Sequence, residues 1–353
     1  MKPLDGPLVV FLPGWVGDAV MATPALRALQ KLAGNAGVIA VGRPAPLAVL
    51  EGSGLIDEAI ATGARNLPGI WTTSLRLRKF RPAMAALLSN SFRVALMATL
   101  AGCRKRVGMA MHGRGMLLTS AVRPELDNGG RRAIIPALVD YNRIAIACGA
   151  ESPNTRLELG LTDRDVAAAA TVYAHPSLAT RDVVILNPGA AFGAAKFWPA
   201  ESFSRLAATL ADTGRGVLVL CGPAEAELAR TISREANRAS VVALPDLSNG
   251  SLSLGLSKAC VARSALLITT DSGPRHFAHA FNRPVITLFG PTHIGWTETW
   301  HPAAVHMQKP LPCGPCQKRT CPLGHHLCMT SINHHEVFDV ATHLLASAER
   351  RAG

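Results

Sequence analysis

Long apolar runs are missing from this 353-residue chain. None reaches the ~18 residues that a bilayer-spanning helix requires, so no spanning helix is expected. The opening stretch, 1–12, is short and soon interrupted by Pro13 and Gly14, which is not the pattern of a secretory signal. Aromatic residues are scarce at 5%, with only 2 Tyr. No segment interleaves them with basic residues, and no regular basic helix is evident, which argues against a dedicated nucleic-acid binder. Two nucleotide signatures are absent as well. Without G-x-G-x-x-G spacing a hydride-transferring dehydrogenase is disfavoured, and without a G-K-[ST] ending so is a P-loop nucleotidase. No short internal repeat is visible.

Apolar residues make up 48% of the chain, enough to pack cores rather than remain disordered. Its length predicts two domains, each with its own core, and a soluble cytoplasmic protein is the expectation. The net charge of +12 is uneven. Residues 1–160 hold 19 Lys and Arg against 10 Asp and Glu, whereas the remainder holds 17 against 14. A basic first half points to an anionic partner, be it nucleic acid, a membrane surface or a phosphorylated substrate. The densest pieces are Arg76, Arg78, Lys79 and Arg81, then Arg104, Lys105 and Arg106; a merely solvated surface is the alternative.

The chain alternates between strand-like and helix-like stretches. Leu8 to Leu12, Val38 to Val41, Val183 to Leu186, Gly216 to Leu220, Ala265 to Ile268 and Pro284 to Phe289 are apolar runs fit for strands buried on both faces. Helical spacing follows Gly17 up to Gly34, and helices are expected over Ile134 to Cys148, near Ala200 to Ala211 and near Ala224 to Ala236. Gly102 to Gly108 and Asp127 to Arg132 read as loops. This βαβα order predicts an α/β protein of two open lobes, each a parallel sheet covered by helices on both faces, with a cleft between them and binding loops at the carboxyl ends of the strands. The lobes are expected at 1–165 and 166–353.

Three loops lie between a strand and a helix. In Pro13-Gly14-Trp15-Val16-Gly17-Asp18 the glycines allow close backbone approach, and Asp18 could take a proton from an attacking hydroxyl; an N-cap role for Asp18 is the alternative. In the stretch from Asn187 to Pro199, small residues and Lys196 suit a phosphate. In Thr269 to His276, the amides of Ser272 and Gly273 would face an anion, with His276 one turn on. Asp163-Arg164-Asp165 has the D-x-D form associated with metal-bound nucleotide sugars, but it precedes an alanine-rich helix and reads as capping. Cys313, Cys316, Cys321 and Cys328 crowd into sixteen residues, a fair four-thiolate site for a structural zinc. His325 and His326 could substitute as ligands, and two disulfides or a zinc-ribbon module remain as alternatives.

Together these segments resemble glycosyltransferase family 9, the heptosyltransferases of lipopolysaccharide core assembly. The resemblance rests on Trp15-Val16-Gly17-Asp18, on Asn187-Pro188-Gly189 through Lys196-Phe197-Trp198-Pro199, on Asp271-Ser272-Gly273 with His276, and on Pro284 to Thr292. The Trp-Val-Gly-Asp loop and the Gly-x3-Gly-x2-Lys spacing favour the heptosyltransferase II branch. The resemblance implies a GT-B fold of two Rossmann-like, doubly wound lobes, with acceptor on the first lobe and nucleotide sugar on the second. It also implies inversion at the anomeric carbon with no cofactor required for catalysis. The donor would be ADP-heptose and the acceptor a phosphorylated lipopolysaccharide inner-core glycolipid, met at an anionic membrane surface, with no nucleic acid involved. Catalytic roles then fall to Asp18 and Lys196. Donor contacts would come from Gly189, Ala190, Ala191, Lys196, Glu225, Leu252, Asp271, Ser272, Gly273 and His276, with adenine near 247–252. Trp15, Gly17 and Asp18 would meet the acceptor. Lys79, Arg104 and Arg106 match no acceptor contact by motif. The last helix is allowed to pack back on the first lobe. Another activated sugar with a different cell-surface glycan, or a non-catalytic nucleotide-sugar binder, are the rival readings.

Overall fold

A computed structural model of the protein describes residues 4–63, 66–248 and 251–352. The chain divides into two compact units. One comprises Met1–Gly160 with Gly295–Thr299, the other Leu161–Ile294 with Trp300–Gly353.

The first unit holds β1 (Leu8–Phe11), β2 (Val38–Gly42), β3 (Glu58–Ala61), β4 (Met84–Leu87), β5 (Lys105–Met109) and β6 (Ser120–Val122). The second holds β7 (Val183–Asn187), β8 (Gly216–Val219), β9 (Val241–Ala243), β10 (Leu266–Thr270), β11 (Val285–Phe289) and β12 (Ala304–Gln308). The strand orders are β3-β2-β1-β4-β5-β6 and β12-β11-β10-β7-β8-β9, and every neighbouring pair is parallel. Read from the other edge, the second order repeats the first. Both are the doubly wound order that reverses direction at a central pair, β1/β4 in one unit and β7/β10 in the other.

Central strands such as Leu-Val-Val-Phe and Val-Val-Ile-Leu-Asn are buried at every position because helices cover both faces. One face of the first sheet packs Val9, Phe11, Val41 and Leu87 against Ile70, Leu77, Ala95 and Ala98. In the second unit Val184, Leu186, Val217 and Ile268 meet Phe203, Leu206, Ile232, Val337, Ala341 and Leu345. The terminal helix His334–Ala352 gives its apolar positions to the core of the second unit, where it packs on the helix Ala200–Asp212.

Several expectations change for local reasons. The helical stretch after the first loop is two helices, Val16–Met21 and Thr23–Ala33. Pro24 has no N–H to continue the ladder, and the Thr23 hydroxyl instead donates to the Val20 carbonyl at 2.7 Å. The helix expected from Ile134 begins at Ala137, after Pro136, and ends at Gly149 with φ of 105°. Gly102 to Gly108 is not a loop throughout, since β5 runs through Lys105 to Met109. Its charged start hides the strand, because Lys105 Nζ donates to the Cys148 carbonyl at 2.8 Å and Arg106 donates to Leu117 and Cys103 carbonyls at 2.7 Å. That basic cluster is thus largely spent on backbone. Asp165 forms a reciprocal capping box with Thr162 at the helix Asp163–Tyr173, so the D-x-D form is a helix start.

Candidate functional site

In the first unit β1 ends in Leu12-Pro13-Gly14, and the short helix Val16–Met21 begins at once. Trp15, not Asp18, is its N-cap residue, and no side chain caps it. Asp18 stands in the first turn, half-buried, and accepts a hydrogen bond from the Tyr141 hydroxyl at 3.1 Å. Burial, then the charge of Asp18, pushes the Tyr141 phenol well above its ordinary value. It therefore stays protonated and donates, fixing the carboxylate. Trp15 is 47% exposed and Gly17 half-buried. A cavity of about 120 Å³ beside this loop is lined by Pro13, Gly14, Arg43, Ser89, Ser91 and Arg93, among others. These two arginines and Tyr141 were not legible as site residues. Arg43 and Arg93 do follow strand ends, but isolated arginines in a basic half carry no distinguishing signal.

The second unit gathers its loops at the carboxyl ends of β7 and β10, where the strand order reverses. Asn187 closes β7, and its side-chain amide donates to Thr269 Oγ1 at 2.9 Å and Ser272 Oγ at 3.0 Å. The Thr270 hydroxyl donates to the Gly189 carbonyl at 2.8 Å. These bonds tie the two sequence-predicted loops to each other.

Beneath them lies a charged cluster. Lys196 Nζ donates to Asp271 Oδ2 at 2.5 Å and to the Asp271 carbonyl at 3.0 Å. Thr292 Oγ1 donates to the same carboxylate at 2.7 Å, and Arg275 stands 3.6 Å from its other oxygen. Lys196 is 8% exposed, Asp271 6% and Arg275 fully buried. Burial by itself would raise the Asp271 carboxyl. Lys196 and Arg275, with hydrogen bonds from Lys196 and Thr292, overcome it and hold the group below its ordinary range. His276 is 2% exposed. Burial, then Arg275, drives its imidazole well below its usual value, so at neutral pH it is uncharged. Lys196, Arg275 and Asp271 together leave one positive charge in excess.

Gly189 and Ala190 are buried and Ala191 is exposed. A Cβ at Gly189 would stand 3.0 Å from the Glu225 carboxylate, whose Oε2 accepts from the Gly222 amide at 3.0 Å. Glu225 thus caps its own turn while touching the donor-loop candidate. Gly273 precedes the short helix Pro274–Ala280, with Pro274 in its first turn. Leu252 packs half-buried against the second core, and residues 249–250 of the expected adenine stretch lie outside the described residues. A further cavity of about 480 Å³, with Arg181, Arg215, Arg263 and Arg283 in its wall, sits at the amino ends of β7, β10 and β11, away from these loops.

The segment carrying the four cysteines braces the Lys196 loop. Ala195 N–H donates to the Arg319 carbonyl at 3.0 Å, and His326 Nε2 lies 2.8 Å from the Ala195 carbonyl. Lys196 and Arg319 both lie over the Phe192 ring. All four cysteines are free thiols. Cys328 is pushed up by burial first, then by the proximity of Cys321, Cys316 and Cys313. Cys321 is drawn down by backbone N–H donors, His326 foremost. Four thiols within sixteen residues are the donor type that zinc takes. Among the described residues, though, no group of three or more His, Cys, Asp or Glu stands in a metal-holding arrangement.

Residues 73–327 match the family described as glycosyltransferase family 9 (heptosyltransferase). The chain belongs to this family. It is 27% identical over 342 residues to lipooligosaccharide heptosyltransferase 2 of Campylobacter jejuni subsp. jejuni serotype O:6, covering 94% of this chain and 97% of that one. To lipopolysaccharide heptosyltransferase 2 of Escherichia coli K12 it is 29% identical over 299 residues, with 82% and 84% covered. The solved structure of E. coli ADP-heptose lps heptosyltransferase II aligns with a TM-score of 0.78 and 25% identity, over 97% of this chain and 99% of that one. The expected GT-B architecture of two parallel α/β sheets is the one found, and the chain is a glycosyltransferase.

Proposed function

We propose that this family 9 enzyme transfers heptose, with inversion, from ADP-heptose to a phosphorylated lipopolysaccharide inner-core acceptor. The observation that carries the reading is the buried Lys196–Asp271–Arg275 cluster under the loops at the β7/β10 reversal, with one positive charge in excess. A diphosphate is the complement of such a site in a chain whose relatives are heptosyltransferases. Asp18, oriented by Tyr141, removes the proton of an acceptor hydroxyl. The freed oxygen attacks the anomeric carbon, the bond from that carbon to the ADP oxygen breaks, and ADP departs with its charge countered by the Lys196 cluster. Because Lys196 is already paired with Asp271, it acts through the field of the whole cluster rather than as a lone cation.

No catalytic metal is invoked. For the cysteine segment we propose a structural zinc on the residue type and spacing of the four thiols alone; they do not stand in a metal-holding arrangement, so binding would have to draw 313–328 together beside the Lys196 loop. Metal analysis of the purified protein should find about one zinc per chain, and a metal-free protein of unchanged thermal stability would refute it. No helix among the described residues is long and apolar enough to cross a membrane. Cytoplasmic placement with peripheral contact to an anionic membrane surface is proposed from the basic first half.

The deciding assay combines the protein with ADP-heptose and a heptose-deficient, phosphorylated inner-core acceptor. Equal amounts of ADP and glycosylated product are expected. Asp18→Asn should lower kcat by about 10²–10⁴ while leaving ADP affinity unchanged. Full activity in that variant would remove Asp18 from the mechanism.

A further inference from the structure

The helix Leu67–Arg78 covers one face of the first sheet with Ile70, Ser74 and Leu77. Three other large side chains on it gain nothing from that core. Leu67 is 73% exposed, Trp71 55% and Leu75 42%. Spaced by four, they fall on one strip of the helix surface. Phe80 just beyond the helix, and Phe92 on the helix Phe92–Leu100 that packs beside it, are exposed as well.

The surrounding charge is of one sign. Between Glu58 and Glu125 the sequence contains no Asp or Glu at all, yet it holds 11 Lys and Arg. Some of these are committed within the fold. Arg114 is buried, Lys105 and Arg106 bind carbonyls, and Arg76 lies 3.7 Å from Glu58. Arg78, Lys79, Arg81 and Arg93 remain exposed with no carboxylate partner among the described residues.

We propose that this face of the first unit docks on an anionic lipid bilayer. Trp71, Leu67 and Leu75 enter the boundary between headgroups and acyl chains, and Arg78, Lys79 and Arg81 meet lipid phosphates. An apolar strip bearing an indole and flanked by cations is the composition that partitions to that boundary. A second copy of the chain is the poorer occupant. A two-fold contact would set this mainly cationic patch against itself, with like charges opposed. The inference rests on the proposed glycolipid acceptor only for its purpose, and its test is independent of turnover.

Sedimentation with phosphatidylglycerol-containing vesicles, against pure phosphatidylcholine, reads the docking directly. The protein should bind the anionic vesicles and be released by salt. The pair Trp71→Ser with Leu75→Ser should weaken binding by about tenfold or more, as should Arg78→Gln with Lys79→Gln. Trp300→Ser, an exposed tryptophan in the other unit, should bind as the parent does. Transfer to a delipidated, water-soluble acceptor should be unchanged in every variant, which also shows that each folds. Absence of vesicle binding, or binding indifferent to the strip, overturns the proposal. So does a concentration-dependent dimer that the Trp71 and Leu75 pair abolishes, since the strip would then be a self-contact. Failure of transfer in the parent protein, with vesicle binding intact, would count against the proposed reaction and leave the docking surface standing.

Discussion

Asp271 is the residue on which the second site turns. It is the counter-charge for a lysine and an arginine that are both withdrawn from water. Removing it leaves two buried cations facing each other, a loss of about 3–5 kcal/mol by the usual cost of breaking a buried pair. Asp271→Ala should therefore lower Tm sharply by calorimetry, and more than Thr292→Val, which removes one hydrogen bond to the same carboxylate. Equal effects would mean that the charge balance does not matter. Asp18 makes a contrasting case. Its partner, Tyr141, comes from a helix 123 residues further along the chain, so local sequence could offer it only as an N-cap or a base. The tertiary contact removes the first option, because Trp15 holds the cap position and the carboxylate is turned to the phenol.

At the scale of elements, the Lys196 loop is held by chain that follows more than a hundred residues later. Gly193 has φ of 153°, and a Cβ there would lie 2.6 Å from the Arg319 carbonyl. That carbonyl is the acceptor for the Ala195 amide, so Gly193→Ala must push the cysteine segment away from the loop. ADP affinity, measured calorimetrically, should fall by about tenfold or more from the strained backbone and displaced brace. An unaffected variant would show that the brace plays no part in donor binding. The same loop was recognisable in the sequence from its small residues and its place between strand and helix. What supports it was not, because the spacing of cysteines says nothing about which surface they pack on. The strand β5 is a parallel lesson: Lys105 and Arg106 read as a loop until their side chains are seen bonded to carbonyls.

For the whole molecule, the buried histidines make stability depend on pH. His276 and His279 both titrate well below their ordinary value of 6.5, through burial first, then Arg275 for His276 and His276 for His279; Asp271 opposes this at His276, while His306 reinforces it at both. The unfolded chain takes up protons near pH 6.5 that the folded chain refuses, so stability is full above that pH and declines as pH falls below it. Melting curves from pH 8 to 5 should show Tm falling in the lower half of that range, and His276→Asn should flatten the decline. A Tm independent of pH there would contradict the buried, neutral imidazoles. The sequence by itself determined the alternation of buried strands and covering helices, the three loops at strand ends and the family, because apolar runs, glycines and short motifs are local properties of the chain. Only the tertiary structure decided that Lys196 is already paired, that Tyr141 holds Asp18, that Arg106 is spent on carbonyls and that Trp71 is not. Each of those depends on which residues, distant in sequence, the two parallel sheets bring within a few ångströms, and on the desolvation that follows.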